Sequence, residues 1–237
     1  MKRKAVFATG ILRCADRIPF HEAVVGRGAP PFSKSDSTGV VSRMTLEELK
    51  EKYAGCTRCP LHERRTRFVF GEGNPRSPLM FVGEGPGADE DRMGRPFVGR
   101  AGQLLNKMLE AAEIPREEVY ITNIVKCRPP GNRTPTMEEM QTCIVILREQ
   151  FKVIRPKLIV TLGSAPTRAI LDPKARITRV RGQWFERKGV RIMPTFHPAY
   201  LLRNPASKKE AWIDFQAIRD AYREVLAEQE RSGEILT

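Results

Sequence analysis

Leu79-Met80-Phe81-Val82 runs directly into Gly83-Glu84-Gly85-Pro86-Gly87. A short apolar run that stops on a glycine-rich turn suits a strand covered on both faces, as strands of parallel sheets are. Leu158-Ile159-Val160-Thr161-Leu162 repeats the pattern, stopping on Gly163 with Ser164 placed to cap a following helix. Parallel strands need long crossovers rather than hairpins, so helices are expected between them.

The flanking sequence supplies those helices. Thr45 and Glu48 have capping-box spacing and predict a helix over 45–54. Leu104, Leu105, Met108, Leu109 and Ala112 share one face of a helix predicted over 100–113. Thr136 and Glu139 open another that runs to about 152, and a short helix after Gly163 reaches Leu171. A last helix over about 206–229 carries Ala211, Phe215, Ile218, Tyr222 and Val225 at spacings of four, three, four and three. Strands are predicted at 67–70, 79–83, 119–125 and 158–162, and near 177–186 and 190–196. This alternation predicts an α/β fold, a three-layer α/β/α sandwich with a mainly parallel central sheet.

The 237 residues include 41% hydrophobic side chains, enough for a sizeable core. No apolar run approaches the roughly 18–20 residues that cross a bilayer, so no membrane partner is expected. Lysine and arginine number 41 against 28 acids, a formal charge of +13, which points to a polyanionic partner such as nucleic acid. Residues 1–43 lack periodicity and hold eight basic and three acidic residues, or +5, leaving +8 on residues 44–237. They read as a flexible basic extension before a domain over 44–230, with 231–237 as a C-terminal tail. Met44 would also serve as a natural start, so a start-site artefact is an alternative for the extension. Lys2-Arg3-Lys4 with the apolar residues behind it makes a poor signal peptide, and a cytoplasmic protein is expected.

Cysteines are sparse, and four of the five form a pattern. Cys56 and Cys59 make a C-x2-C pair, and Cys127 and Cys143 follow after 67 and 15 intervening residues. A tight pair with two distant partners suits a four-thiolate centre, either structural zinc or an iron–sulfur cluster, between which spacing does not choose. Arg58, Arg64, Arg65 and Arg67, with Lys126, Arg128 and Arg133, surround these positions with cations suited to an anionic centre or to phosphates. Cys14 lies in the extension and reads as a bystander.

Three polar loops follow predicted strands and should gather at one sheet edge. Gly83–Gly87 has neither dinucleotide nor Walker spacing, but its glycines allow a ligand to approach the backbone closely. Asn123 lies near the end of the strand 119–125; a buried amide there needs a partner and could both give and take a hydrogen bond on a nucleobase edge, or cap the following loop. His197 follows the strand 190–196. Tyr200, Leu201 and Leu202, with Arg203 behind them, could enter a duplex as a wedge anchored on phosphate, or form a helix or core contact.

Residues 44 to about 226 closely resemble a family 4 uracil-DNA glycosylase, the iron–sulfur type of that superfamily. The resemblance lies in CTRCPL at 56–61, GEGPGADEDRMGRPFVGRAGQLL at 83–105, TNIVKCRPPGNRTP at 122–135, LIVTLGS at 158–164 and FHPAYLLRNP at 196–205. It implies a 4Fe–4S cluster on Cys56, Cys59, Cys127 and Cys143, and hydrolysis of the N-glycosidic bond of deoxyuridine in single- or double-stranded DNA by a monomer. It further implies that Phe97 stacks on the flipped uracil and Asn123 bonds its pairing edge. Glu84 and Gly85 would line the pocket, Asn132 would bond Glu84, and His197 would donate to uracil O2. Glu90 matches a functionally important acid. Relatives elsewhere in the superfamily carry an aspartate water-activator where this chain has Gly85, which leaves water activation to Glu90, to Glu84 or to no single base. The histidine-containing insertion of a covalent uracil-trapping subfamily is absent after Lys126-Cys127-Arg128, so turnover is expected. The alternatives are a non-catalytic nucleic-acid-binding module with a four-cysteine zinc site, and a glycosylase of this fold acting on another deaminated base.

Overall fold

In a computed structural model of the chain, residues 12–13 and 44–233 are described. The strands are β1 (Leu12–Arg13), β2 (Glu72–Gly73), β3 (Leu79–Gly83), β4 (Tyr120–Asn123), β5 (Leu158–Leu162), β6 (Phe185–Arg187) and β7 (Val190–Thr195). The helices are α1 (Leu46–Ala54), α2 (Ala88–Met93), α3 (Arg100–Ala111), α4 (Met137–Ile154), α5 (Ser164–Ile170), α6 (Ile177–Val180), α7 (Pro198–Arg203) and α8 (Lys208–Ser232). One sheet runs β1-β6-β7-β5-β3-β4-β2. Its centre, β7-β5-β3-β4, is parallel throughout, and antiparallel pairs join β6 to β7 and β2 to β4.

Strand alternation divides the core in two. Met80, Val82, Tyr120, Ile159 and Ile192 pack toward α1, α4 and α5, against Leu49, Ile144, Leu147 and Ile170. Leu79, Phe81, Ile121, Val160 and Met193 pack toward α3 and α8, against Leu105, Leu109, Phe215 and Ile218. The rings of Phe81 and Phe215 stack at 6.1 Å. The expected three-layer sandwich is therefore present, and all five apolar residues predicted on the face of α8 are buried. Both capping boxes form, at Thr45 with Glu48 and at Thr136 with Glu139. Among the described residues, no helix is long and apolar enough to cross a membrane.

Several local expectations are corrected. Residues 67–70 are not a strand: Val69 and Phe70 are buried, but pairing is limited to Val69 N–H on the Lys126 carbonyl at 2.9 Å. The strand that edges β4 is the shorter β2. The stretch 177–186 begins as α6, and Gly182 at φ +70° turns the chain before β6. Gly163 at φ +92°, not Ser164, is the N-cap of α5. The six-residue helix α2 and α7 have no long apolar period that would announce them. The last helix, predicted to end at about 229, continues to Ser232. Apart from β1, the extension over 1–43 lies outside the described residues, and so does Cys14.

One buried ion pair fixes the end of β7. Asp214 on α8 is 1% exposed and accepts from Thr195 Oγ1 at 2.6 Å and from Arg181 Nε at 3.0 Å. Its burial raises the carboxyl pKa, while Thr195 and Arg181 oppose the shift by favouring the anion. Removing one partner of a buried pair leaves the other uncompensated. Asp214→Ala is expected to cost about 3 kcal/mol, read as a lower urea midpoint at unchanged slope; a wild-type midpoint would show that the bridge contributes nothing.

Candidate active site

The loops that leave β3, β4 and β7 at their carboxyl ends enclose a cavity of about 420 Å³. Ligands of open α/β sheets bind at this edge. Glu84, Gly85, Glu90, Phe97, Asn123, Asn132, His197, Tyr200 and Arg203 all line it. The structure thus brings together residues spread over 120 positions of sequence, from 84 to 203.

Asn123 lies at the floor. It pairs in register with Gly83 and is 1% exposed, and its Oδ1 has no hydrogen-bond partner. A Cβ at residue 83 would meet Asn123 Oδ1 at 2.3 Å and Phe97 Cζ at 2.5 Å, so glycine is what lets the amide and the ring approach. Phe97 holds a left-handed backbone, φ +53°, which is strained for an aromatic residue. Its loop is held on two sides. Glu90 Oε1 accepts from the Val98 and Gly99 amides at 2.9 and 2.8 Å, while Oε2 accepts from Gly87 at 3.1 Å. The Phe97 carbonyl sits where a Cβ on Gly102 would be, at 1.9 Å.

His197 caps α7, its Nδ1 accepting from the Ala199 amide at 3.1 Å. Burial, aided by the nearby Arg203 charge, pushes its pKa down to about 4. The ring is therefore neutral near pH 7 with its proton on Nε2. Its centroid lies 5.6 Å from that of Phe97, tilted by 32°. Glu84 is half-buried; burial raises its carboxyl pKa and the Thr134 hydroxyl opposes this.

Two expectations do not hold. Asn132 Oδ1 accepts from Arg128 Nε at 2.8 Å, and the side chain bonded to Glu84 is Thr134. Thr134 lies two residues further along the TNIVKCRPPGNRTP segment, past a turn with Gly131 at φ +61° and Asn132 at φ +56°. Leu201 is 1% exposed, packed with Phe196 and Ala211, so it is a core residue of α7 and not a wedge. Tyr200 stands 4.9 Å from the Phe196 ring at the cavity wall, Leu202 is half-buried and Arg203 is exposed.

The four cysteines gather behind β4. Cys56 follows α1, Cys59 caps a short helix over Pro60–Arg64, Cys127 follows β4 and Cys143 lies on α4. None is disulfide-bonded. Cys127 interacts electrostatically with Cys56 and Cys59, and Cys143 with Cys59 and Cys127. Burial pushes the Cys143 thiol up to about 12 and raises Cys127 and Cys59 as well, so bare thiols here would stay neutral. Arg65 donates to Cys127 Sγ at 3.2 Å and to the Cys56 carbonyl at 2.6 Å. Among the described residues, no three histidine, cysteine, aspartate or glutamate side chains are grouped to hold a single metal ion.

Known proteins resemble this chain across the same region. The family described as the Uracil DNA glycosylase superfamily matches residues 70–216. A type-4 uracil-DNA glycosylase of Thermotoga maritima is 50% identical over 167 residues, covering 69% of this chain and 86% of the relative. One from Sulfurisphaera tokodaii is 45% identical over 185 residues, 74% of this chain and 84% of the relative. A type-5 uracil-DNA glycosylase of Pyrobaculum aerophilum is 35% identical over 149 residues, 56% and 65% of the two chains. The family match spans every cavity-lining residue from Glu84 to Arg203, and the chain belongs to the uracil-DNA glycosylase superfamily.

Proposed function

We propose that this chain is a DNA repair glycosylase that hydrolyses the N-glycosidic bond of deoxyuridine in DNA, releasing uracil and leaving an abasic site. The observation that carries this reading is the unpartnered Asn123 Oδ1, buried beside the Phe97 ring. A buried acceptor without a protein partner calls for a donor from the ligand. Uracil offers N3–H to Oδ1 and its O4 to the amide nitrogen. Cytosine has no hydrogen on N3 and an amino group in place of O4, so both contacts fail. A site built for such contacts rejects the mismatched analogue by about 10⁴-fold.

The remaining groups fit the chemistry. The target nucleotide must leave the helix stack, at a cost of a few kcal/mol. Stacking on Phe97 offsets about 1–3 kcal/mol of that. Arg203 at the exposed rim meets phosphate. As the glycosidic bond breaks, negative charge collects on the pyrimidine, and the His197 Nε2–H donates to O2. Glu90, with both oxygens on backbone amides, acts as a positioning residue for the Phe97 loop. Glu84 is the carboxylate left to orient a water.

A 4Fe–4S cluster on Cys56, Cys59, Cys127 and Cys143 is the cofactor we propose. Buried thiols with raised pKa values need a metal to become thiolates, and a single zinc ion would draw four sulfurs to about 2.3 Å from one point. Likeness to the type-4 glycosylases favours the cluster over such an ion, and Arg65 on Cys127 Sγ suits the negative charge of four thiolates. When bound, it supplies folding energy by clamping the α1 turn, the loop after β4 and α4.

Purified protein is expected to release free uracil from a uracil oligonucleotide, seen as alkali-sensitive strand cleavage; uncut DNA would overturn the reading. His197→Ala should lower kcat by about 10²–10³-fold, the worth of one preorganised donor, with DNA affinity retained. Protonation breaks the cap to Ala199, so wild-type kcat should stay level from pH 8 to 6 and fall only as pH approaches about 4. An inflection between pH 6 and 7 that vanishes in His197→Ala would contradict the neutral donor. Phe97→Ala should raise KM by about 10- to 100-fold with visible absorbance intact, whereas a colourless variant would show a structural role instead. Cys143→Ser should lose the visible iron–thiolate absorbance and melt at lower temperature; wild-type colour and melting would remove Cys143 from the ligand set.

A further inference from the structure

Lys126 is fully buried, 0% exposed, between the cysteine centre and the cavity floor. Its Nζ meets Thr122 Oγ1 at 2.5 Å, Gln150 Oε1 at 2.7 Å and the Asn123 backbone carbonyl at 2.9 Å. Thr122 spends its own proton on the Phe70 carbonyl, and the Gln150 amide group donates to Phe70 O and to the Tyr120 hydroxyl. All three neighbours therefore accept from Lys126. Three acceptors require three N–H bonds, which only the ammonium has. None of the three is a carboxylate, and an ammonium buried among neutral groups is costly without a counter-charge. Burial pushes the Lys126 pKa down to about 7, Cys143 opposes the shift, and the Cys143 sulfur also receives the Lys126 backbone N–H.

One residue thus touches both sites. Asn123 Oδ1 has no protein partner to lock it, so the aim of the amide depends on where its backbone is held. Pairing with Gly83 holds one side, and the Lys126 ammonium holds the carbonyl. We propose that Lys126 is a positioning residue that couples the four-cysteine centre to base recognition: its Nζ pins the Asn123 carbonyl, while its backbone bonds Cys143 and runs straight into Cys127. The inference rests on the uracil-reading role of Asn123 and on the cluster proposed above.

The test uses holoprotein carrying Lys126→Met, which keeps the length and apolar stem and removes the charge. Uracil release is expected to fall at least 10-fold in kcat/KM with visible absorbance retained. If Lys126 acts through Asn123, combining it with Asn123→Ala should be no slower than Asn123→Ala alone. A wild-type rate, or two defects that multiply, overturns the proposal. The reduction potential of the cluster should move negative, because a positive charge beside Cys143 is gone; an unmoved potential overturns the link to the cysteines. If Lys126→Met cannot be isolated with its cluster, Gln150→Glu decides. Its carboxylate should draw the ammonium from the Asn123 carbonyl and slow uracil release at least 5-fold with colour retained, and a wild-type rate overturns the proposal. Wild-type protein that releases no uracil would instead sink the proposed function, and the potential would still report on Lys126 and the cysteines.

Discussion

A buried amide oxygen without a partner is the constraint around which this site is built. Asn123 Oδ1 sits on the last residue of a central strand, beside a glycine whose missing Cβ is the space the amide and the Phe97 ring occupy. A ligand that displaces water from such a group without supplying a donor forfeits about 1–3 kcal/mol, so the pattern of the bound base decides. Selectivity then needs no large pocket. It needs the amide to stay aimed and the ring to stay flat against the base, and the neighbouring structure supplies both.

The ring is held by over-determination. Phe97 takes a backbone conformation that aromatic residues avoid, and it persists because Glu90 captures the next two amides while Gly102 leaves room for its carbonyl. A carboxylate whose two oxygens accept from three backbone amides is committed to holding the loop. Glu90 thereby acts on chemistry through the loop it shapes. Behind the sheet, the cysteine centre and Lys126 do the same for the amide from the opposite side.

Much of this was legible in the sequence, and the failures share physical causes. The faces of α3, α4 and α8 are long and periodic, so burial and period agree. Val69 and Phe70 looked like a strand because they are apolar, but their burial comes from loop packing, not from a ladder. Residues 177–180 have β-branched ends yet make one helical turn before Gly182. Leu201 looked like an exposed tip because periodicity is unreadable in six residues, and only tertiary packing shows it facing Phe196 and Ala211. The cavity residues were located by motif, but their partners were not: consecutive positive φ angles at Gly131 and Asn132 turn Thr134, rather than Asn132, toward Glu84. Lys126 passed as one cation among many, since nothing in a run of basic residues marks the one that is buried.

The charge at the cavity rim has a second effect. In the proposed function Arg203 draws the DNA backbone, and its charge also disfavours a proton on His197. Phosphate bound at Arg203 would cancel much of that field, so a histidine kept neutral by Arg203 alone would gain a proton as DNA docks. Burial is the larger cause of the shift, and docking deepens burial by excluding water. With the Arg203 field cancelled, burial still holds the pKa below its ordinary value, so the ring stays neutral near pH 7. The Nδ1 cap to Ala199 survives, the Nε2 proton stays aimed at the cavity, and the donor is set before charge develops on the base, where preorganisation has its greatest effect.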